Sequence, residues 1–382
     1  MKVAIVTVTL SHFEVPLFRL ASSLAGLDVR VFHCEKESNN FFDESYGVVI
    51  DWGEDRRAGF PNQFCETPGR LARDVLAWKP DVVLQYGYLW RGAFAFFAQM
   101  RMRGIPVVHR GLLTPYRNTR QNALVGAAWR IIQPMLLRRF QAHHYGGSYS
   151  EAVLKRAGIP ENRCYFVPFS VDTPHFASKA DDVEEKRRAL ALRRCLGWAE
   201  DAHVLLFMCQ QNWFKAPDVA VKAAAAAQKV VPGIKLIMAG SGSMTDELKA
   251  LAASNLLPGS FHFPGFVQSK DSMRYYLASD LVMFPSRYDT WSRGVNEAML
   301  ARRPCIVSRV VPAAGGLVDD RVNGYVVDGL EPGGFVNCIG AYLGQSTAER
   351  ASMGEAARAR AMSFSYEVHA DELYRSFTEV VL

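Results

Sequence analysis

The chain has 382 residues, of which 49% are hydrophobic and 21% charged, and its formal net charge at pH 7 is +6. This length exceeds what one hydrophobic core usually supports and the composition is that of a soluble globular protein, so disordered and fibrous classes are excluded and two domains are expected. Seven scattered cysteines without a C-x-x-C pair argue against a disulfide framework and a zinc site, and they indicate a reducing compartment.

The first predicted element is a buried strand. Val3–Leu10 is a short β-branched run that leads into a polar turn at Ser11. An export signal would have a longer, leucine-rich apolar region and a small-residue cleavage site. No window reaches the roughly 18–20 apolar residues of a membrane span. We therefore expect a cytoplasmic protein that is at most peripheral on the inner face of the membrane.

Short β-branched runs alternate with helix-like stretches in the first 170 residues. The predicted strands are Val3–Leu10, Asp28–His33, Asp81–Tyr86, Pro106–Arg110 and Tyr165–Pro168, and the predicted helices are Val15–Leu24, Gly69–Ala77 and Ala93–Met102. This alternation predicts a parallel sheet with helices on both faces. In such sheets, ligands bind at the carboxyl ends of the strands.

An arginine-rich segment lies within this half of the chain. Between positions 91 and 150 there is no aspartate or glutamate, but there are nine arginines: Arg91, Arg101, Arg103, Arg110, Arg117, Arg120, Arg130, Arg138 and Arg139. Aromatic residues and leucines are interleaved with them, so the segment predicts a basic amphipathic face that rests on an anionic membrane. The alternative, that the aromatic residues are core and the arginines solvated, stays open. Nucleic-acid binding is not expected, because no recognition motif is present.

The segment Pro168–Pro174, with two prolines, ends the first series and predicts a linker. After a charged helical stretch, the alternation starts again. The predicted strands are Val204–Met208, Ile234–Ala239, Phe261–Phe263, Leu281–Phe284, Pro304–Ser308 and Tyr325–Val327, and the predicted helices are Asp181–Leu196, Asp218–Val230 and Gly294–Ala301. Two α/β units in tandem would leave a cleft between them.

Polar residues are densest after the predicted strand Leu281–Phe284. A loop leaves the carboxyl end of this strand and a helix begins near Ser292, where the free N–H groups and the helix dipole make an anion site. Asp289 lies in the loop and Glu297 about one turn into the helix. Such carboxylates accept hydrogen bonds from the paired hydroxyls of a sugar. The spacing is equally compatible with Asp289 as a helix cap and Glu297 as an ordinary first-turn acid.

This segment resembles the E-x7-E signature of retaining GT-B glycosyltransferases of family 4, with aspartate as the first acid. The other matching segments are Val167–Thr173 for the V-P-N-G-V-D turn, Ala239–Gly242 for A-G-x-G, Phe263–Val267 for F-x-G-x-V and Asn323-Gly324 for the late N-G turn. The resemblance spans the C-terminal half and is loose over the first 160 residues. It implies two Rossmann-like domains that face each other across a cleft.

The resemblance also implies domain boundaries and an activity. Residues 1–170 would bind the acceptor, residues 171–364 the nucleotide sugar, and a final helix in residues 365–382 would cross back to the first domain. The enzyme would move a sugar from a nucleotide sugar to a hydroxyl acceptor with retention. That acceptor would be a glycan, a lipid-linked saccharide or a small molecule.

Specific roles follow for residues of the C-terminal half. Glu297 would hold the donor ribose and Asp289 a hydroxyl of the transferred sugar, while the N–H groups of Ser292 and Arg293 would face the diphosphate. Further donor-binding residues implied are Lys215, Gln210, Gly294 and Phe266. Lys215 fits the family's lysine, whereas Gln210 occupies the place of its arginine, so one charge-assisted contact worth roughly 1.5–3 kcal/mol is replaced.

On the N-terminal side, three residues stand at strand ends. His109 and Arg110 close one predicted strand and His12 follows the first. A histidine at such a place can hydrogen-bond the sugar or take the acceptor's proton. His109 is therefore a predicted catalytic residue, and His12 and Arg110 are acceptor-side candidates.

No D-x-D motif is present, so neither a metal ion nor another cofactor is expected. The charge of the leaving diphosphate would be offset by Lys215, the helix dipole and nearby arginines. The resembling family usually has glycine at the position of Ser292. This departure, together with those at Gln210 and Asp289, favours one alternative function, a non-catalytic protein of this fold that binds a nucleotide sugar or a sugar.

Overall fold

The computed structural model describes residues 1–11, 13–34, 40–43, 48–51, 56–88, 90–111, 113, 123–289 and 291–381. The chain forms two compact units. Unit 1 comprises Met1–Asn39, Glu54–Ser170 and Ser365–Leu382, and unit 2 comprises Asn40–Gly53 and Val171–Phe364. The change from unit 1 to unit 2 after Ser170 falls within Pro168–Pro174, the segment that the sequence predicts as a linker.

In chain order the strands are β1 (Lys2–Thr7), β2 (Asp28–His33), β3 (Asn40–Asp43), β4 (Val48–Asp51), β5 (Asn62–Phe64), β6 (Val82–Tyr86), β7 (Val107–Arg110), β8 (Ala142–Tyr145), β9 (Cys164–Phe166), β10 (Val204–Met208), β11 (Lys235–Ala239), β12 (Phe261–Gly265), β13 (Leu281–Phe284), β14 (Cys305–Ser308) and β15 (Gly324–Val327). The helices are α1 (Val15–Ser23), α2 (Pro68–Trp78), α3 (Ala93–Met102), α4 (Ala123–Leu137), α5 (Ser148–Arg156), α6 (Thr173–Asp181), α7 (Val183–Cys195), α8 (Pro217–Gln228), α9 (Thr245–Asn255), α10 (Ser269–Ala278), α11 (Arg293–Leu300), α12 (Pro332–Leu343), α13 (Thr347–Met362) and α14 (Ala370–Val381).

Each unit is built on one parallel sheet. The strand order is β5-β2-β1-β6-β7-β8-β9 in unit 1 and β12-β11-β10-β13-β14-β15 in unit 2. Unit 2 therefore has the Rossmann order 3-2-1-4-5-6, in which the chain reverses direction across the sheet between its first and fourth strands. The predicted α/β fold with Rossmann-like domains is confirmed, and the reversal in unit 2 lies between β10 and β13.

The sequence placed residues 40–53 in the first domain, but they group with unit 2. The reason is local. β3 and β4 pair with each other as an antiparallel hairpin and not with the sheet of unit 1. The side-chain amide of Gln268 donates a hydrogen bond to the carbonyl of Val49 at 3.0 Å, which ties the hairpin to unit 2.

Small residues allow close packing in unit 2. The alanine-rich helix α8 is buried on most sides, and Ala220, Ala223 and Ala224 are fully inaccessible to solvent. Alanine combines high helix propensity with a short side chain, so the helix forms and also lies close to the sheet. None of the described helices is long and apolar enough to span a bilayer.

The last helix completes the core of unit 1. Tyr366, Leu373 and Phe377 are buried in the same apolar cluster as the central strand β1. Polar contacts add to this packing, because Ser376 Oγ lies 2.7 Å from Nε2 of His144 on β8. Residues 365–382 are therefore an integral part of unit 1.

Arg110, predicted to face an acceptor, is instead buried inside unit 1. Its guanidinium lies 3.1 Å from the carboxylate of Glu14 and donates hydrogen bonds to the carbonyls of Val167 and Pro168 at 2.8 and 3.3 Å. Arg110 is fully buried and Glu14 nearly so. Its donors are thus committed to joining β7, the start of α1 and the end of β9, and the acceptor-side interpretation of Arg110 is corrected.

Replacing Arg110 with methionine would leave the Glu14 carboxylate buried without its cation. We expect the free energy of unfolding of unit 1 to fall by about 3–5 kcal/mol, the usual result of breaking a buried ion pair. Urea denaturation followed by circular dichroism measures the change. Arg103→Met, at an exposed arginine, is the matched control and should cost less than about 0.5 kcal/mol. An unchanged urea midpoint for Arg110→Met would contradict the structural role.

Candidate functional site

The candidate site lies in unit 2, where the sheet reverses direction. Parallel strands carry their loops at the carboxyl ends, and the loops after neighbouring strands on either side of a reversal separate and leave room for a ligand. The loop after β10 spans residues 209–216 and the loop after β13 spans residues 285–292. Both loops contain residues that the sequence predicts to bind the donor.

The two loops are joined by an ion pair. The Lys215 ammonium lies 2.6 Å from Oδ2 of Asp289, and their side chains are 22% and 3% exposed. Burial by itself lowers the pKa of Lys215, but the neighbouring Cys209 thiol and the Asp289 carboxylate outweigh it, so the pKa of Lys215 is raised. The lysine therefore stays charged at neutral pH and is available to an anionic ligand.

Backbone contacts hold the same two loops in register. The carbonyl of Phe214 accepts hydrogen bonds from the amides of Arg287 and Tyr288 at 2.8 and 3.3 Å. The Asn212 side chain accepts from the Lys215 amide at 3.1 Å and so caps the short turn that presents the lysine. The position of Lys215 is fixed by its backbone and not only by its charge.

Asp289 is not the cap of helix α11. Its carboxylate accepts hydrogen bonds from the amide of Trp291 at 3.2 Å and from the hydroxyl of Ser286 at 3.4 Å, in addition to the contact with Lys215. The residue in the N-cap position is Ser292, and no side chain among the described residues caps this helix. The interpretation of Asp289 as a helix cap is therefore wrong.

Ser292 has a left-handed backbone, with φ 65° and ψ 74°. This region suits glycine and costs other residues about 1–2 kcal/mol. The Ser292 side chain is also buried, and its hydroxyl has no hydrogen-bond partner within the described part of the chain. A strained residue with an unsatisfied hydroxyl at a helix N-terminus is typical of a site at which a ligand supplies the missing contacts.

Glu297 lies in the second turn of α11 and is held by a residue from α10. The phenol of Tyr276 donates a hydrogen bond of 2.9 Å to Oε2 of Glu297. Burial raises the pKa of Glu297, against the opposing effects of the Arg293 charge and the Tyr276 hydrogen bond. Tyr276 is almost fully buried and therefore holds Oε2 of Glu297 in place. The other carboxylate oxygen can accept a hydrogen bond from a ligand.

A glycine loop supports the Lys215 loop from the side. Gly240, after β11, has φ 118°, and a Cβ atom there would lie 2.0 Å from the carbonyl oxygen of Cys209. The backbones approach this closely because the Gln211 amide also donates to the Ser241 carbonyl at 3.0 Å. The A-G-x-G segment thus supports the β10 loop by close backbone contact.

The other predicted donor-binding residues lie around the same strand ends. Gln210 is in the β10 loop, where its side-chain oxygen accepts a hydrogen bond of 2.6 Å from the side-chain amide of Asn212. Arg293 and Gly294 form the first turn of α11. Phe266 follows β12 and is half-buried. All of these residues belong to unit 2.

His109, the predicted catalytic histidine, belongs to unit 1. His109 is fully buried in unit 1, with Nδ1 3.4 Å from Nδ1 of His143 and its ring beside Phe140. Burial, followed by the His143 and Arg110 charges, lowers the pKa of His109 well below its ordinary value, so the ring is neutral at pH 7. The structure gives no support for a catalytic His109. His12 lies outside the described residues.

Sequence reasoning missed Tyr276. It lies in α10, where Tyr275-Tyr276 has the appearance of ordinary core aromatic residues, and only the fold reveals the contact with Glu297. Within the described ranges, no group of three or more His, Cys, Asp or Glu side chains is arranged to hold a metal ion.

Comparison with known families identifies the region that carries this site. Residues 190–360 match the family described as Glycosyl transferases group 1. The match includes Lys215, Asp289 and Glu297. The resemblance predicted from the sequence segments is therefore confirmed for this region.

Curated relatives carry a more specific name. Over 241 residues the chain is 31% identical to the D-inositol 3-phosphate glycosyltransferase of Salinispora arenicola. The aligned segment covers 60% of this chain and 52% of that protein. The protein of the same name from Mycobacterium bovis is 30% identical over 230 residues, or 56% of this chain and 45% of that protein. The chain spans about half the length of the curated relatives it matches.

Solved structures share the fold across nearly the whole chain. HepE of Anabaena in complex with UDP has a TM-score of 0.75 at 18% identity and covers 99% of this chain and 100% of its own. A glycosyltransferase from Rickettsia africae has a TM-score of 0.75 at 13% identity, with 99% and 98% covered. At these identities the likeness establishes the fold, which agrees with the two Rossmann-like units.

The backbone strain at Ser292 predicts how replacing this residue with glycine, which the resembling family usually has there, changes the stability of the protein. Ser292→Gly removes about 1–2 kcal/mol of backbone strain and adds about 0.4–1 kcal/mol of chain entropy to the unfolded state. We expect an unchanged or slightly higher melting temperature, measured by calorimetry. The control Ser254→Gly, in the exposed part of helix α9, should lower it. A loss of stability in Ser292→Gly equal to that of the control would contradict the strain.

The raised pKa of Glu297 predicts a pH-dependent stability. The folded state takes up this proton more readily than the unfolded chain, so the ionised side chain costs stability. The cost is absent below the unfolded pKa of about 4.3 and is complete above the raised folded pKa. We expect Glu297→Gln to gain melting temperature relative to the wild type as the pH rises from 4 to 8.

Calorimetry across that pH range measures the difference for Glu297→Gln. Glu247→Gln, at an exposed glutamate of α9, is the control and should follow the wild-type curve. Parallel curves for wild type and Glu297→Gln would show that burial of this carboxylate carries no cost.

Proposed function

We propose that the chain is a glycosyltransferase that moves a sugar from a nucleotide sugar to a hydroxyl acceptor, with retention and without a metal ion. The observation that carries the proposal is the arrangement in unit 2, where Lys215 meets Asp289 at the reversal of the sheet and Glu297 lies in the adjoining helix. The match of residues 190–360 to group 1 glycosyl transferases supports it independently.

The ion pair gives each partner a role toward the donor. In the proposed reaction Lys215 exchanges Asp289 for the diphosphate, and the released carboxylate accepts a hydrogen bond from a sugar hydroxyl. The N-terminus of α11 adds a favourable dipole toward the same phosphate groups. Charge on the leaving diphosphate is then offset by a lysine and a helix terminus, and this is the physical basis for proposing that no metal ion is needed.

Glu297 is proposed to bind the donor ribose. Tyr276 fixes one of its carboxylate oxygens, so the other is presented in a defined direction to the two ribose hydroxyls. With both acids engaged by hydroxyl groups, deprotonation of the acceptor is assigned to the departing phosphate, on the same face of the sugar. This course would retain the anomeric configuration, which NMR of the product reads directly.

UDP-sugars are the first donors to test. The Anabaena HepE protein, which shares the fold, was crystallised with UDP and with UDP-glucose. The acceptor is proposed only as a hydroxyl compound. A thermal-shift screen of UDP-, GDP-, ADP- and dTDP-sugars compares donors, because a ligand that binds only the folded protein raises its stability by mass action.

The proposed roles predict a different loss of binding or transfer for each of three variants. Lys215→Ala should lose affinity for both the nucleoside diphosphate and the nucleotide sugar. Asp289→Asn should keep nucleoside diphosphate binding but lose transfer by about tenfold or more, equivalent to at least about 1.4 kcal/mol of the activation free energy. Glu297→Ala should lose donor binding or turnover by a similar factor while the fold survives.

Calorimetry of nucleotide binding and an assay of nucleotide release measure these effects, with and without EDTA. Wild-type kinetics in Glu297→Ala would remove the donor-site assignment, and a loss of activity in EDTA that Mg²⁺ restores would remove the metal-independent mechanism. Lys249→Ala, at an exposed lysine of α9, is the control for loss of one positive charge.

A second candidate is a non-catalytic protein of the same fold that binds a nucleotide sugar. Gln210 favours it, because an uncharged side chain stands where the resembling family has arginine. Donor binding without nucleotide release, whatever acceptor is supplied, would decide for this candidate.

We also propose that unit 1 associates with an anionic membrane through its arginine-rich face. Arg101, Arg130 and Arg139 are exposed, and positions 91–150 contain no acid. Juxtaposed basic residues contribute about 1 kcal/mol each near an anionic bilayer surface. Sedimentation with phosphatidylglycerol vesicles tests the association, and it should weaken in the double variant Arg138→Glu, Arg139→Glu.

A further inference from the structure

Unit 1 contains a groove between helix α3 and the end of helix α4. Its volume is about 920 Å³, within the usual range of about 300–1,000 Å³ for small-molecule sites. The residues that line it include Phe94, Phe97 and Ala98 from α3, and Leu136 from α4. Phe140, which lies between α4 and β8, also lines it. All of the residues that line the groove belong to unit 1.

Much of the wall of the groove is apolar, and Gln85, Gln141 and Arg163 also line it. The ring centroids of Phe97 and Phe140 are 4.7 Å apart, so the two rings form a continuous aromatic surface. Phe94 is 50% exposed, although its neighbour Phe96 is buried in the core. Helix α3 thus presents one apolar side to the core and a second to the groove and the solvent.

The apolar surface continues outside the groove along α4. Ile131, Ile132 and Met135 are 68%, 44% and 54% exposed, and their spacing puts them on one side of the helix. Met102, at the end of α3, is 76% exposed. Of the aromatic residues in this segment, Phe96 and Phe140 are buried in the core, as the alternative expects, whereas Phe94 is half exposed. Contiguous exposed apolar surface of this kind usually marks an interaction site.

The rim of the groove is positively charged. Arg101 and Arg139 line it and are exposed, and neither forms an ion pair within the described part of the chain. Arg138 also lines it and is oriented by a hydrogen bond of 2.7 Å from its Nε to the carbonyl of Ala157. The sequence has no acid between positions 91 and 150, and no acid of the described part of the chain forms an ion pair with Arg101, Arg138 or Arg139.

We propose that this groove holds the apolar chain of an anionic membrane lipid, whose phosphate is bound by the rim arginines. The chemistry requires both parts. A free phosphate would leave the aromatic walls unused, and a neutral apolar ligand would leave the arginines uncompensated. An anionic lipid satisfies the two together, since its chain enters the groove while its headgroup stays at the rim.

The proposal deepens the membrane association proposed for unit 1, because it adds a defined site to a charged face. A purely electrostatic association would depend on net charge and salt alone. A groove that takes up a chain would in addition depend on its free volume. A bulky neutral substitution in the groove therefore separates the two cases. It would leave a purely electrostatic association unchanged, but it would weaken binding of a chain in the groove.

Ala98 offers that substitution. It lies on α3, lines the groove and is exposed, so Ala98→Trp fills the groove without changing charge or core packing. Ala95 lies on the same helix, is also exposed and does not line the groove, so Ala95→Trp is the matched control. Arg101→Ala with Arg139→Ala removes the rim charge and leaves the walls in place.

The probes are monomeric palmitoyl lysophosphatidic acid, palmitoyl lysophosphatidylcholine and inorganic phosphate, titrated by calorimetry into the full chain. We expect the wild type to bind the anionic lysolipid most tightly and inorganic phosphate not at all. Ala98→Trp should weaken both lysolipids by about tenfold or more, about 1.4 kcal/mol, while Ala95→Trp binds as the wild type does. The double arginine variant should weaken only the anionic lysolipid.

Equal binding by Ala98→Trp and Ala95→Trp would overturn the proposal, as would binding of inorganic phosphate as tight as that of the anionic lysolipid. Thermal shifts with nucleotide sugars in the same variants report on unit 2 and on folding. If those shifts persist while the lysolipid results are negative, the groove assignment fails and the transferase proposal stands. If the lysolipid results hold without any donor binding, the transferase proposal fails instead.

Discussion

The geometry of the candidate site depends on the ion pair between Lys215 and Asp289. It connects the two loops that separate where the sheet of unit 2 reverses, and the backbone contacts of Phe214 reinforce it. A charged lysine in so buried a place would be costly without its partner. The structure thus places a cation at the carboxyl ends of β10 and β13 and compensates its charge with the Asp289 carboxylate.

Much of the fold could be predicted from the sequence. Strands covered on both faces by helices must be apolar along their length, so β10 and β13 appear as short apolar runs, and their bounds were predicted correctly. The short strands β5 and β8 were missed, because polar residues such as His143 and His144 interrupt the apolar pattern. The hairpin of β3 and β4 was also not predicted. Nothing in its sequence indicates that it groups with unit 2.

The candidate site was predictable only in part. Spacing places Asp289 in a loop and Glu297 in a helix, but it does not reveal that Lys215 pairs with the first and Tyr276 with the second, since these partners are 74 and 21 residues away in the chain. The position of His109 and Arg110 at the end of a strand wrongly suggested that their side chains face a ligand. Neighbouring strand residues point to opposite faces, yet helices and the chain after β9 cover both faces here, so both side chains are buried.

The position of α14 in the core of unit 1 has a consequence for how the protein is made. A ribosome releases residues 171–364 before residues 365–382, so unit 2 has all of its sequence while unit 1 still lacks its last helix. Domains usually complete folding in the order of synthesis, but here the unit that begins first finishes last. Until α14 emerges, the apolar surface that Leu373 and Phe377 will cover remains open to solvent and to chaperones.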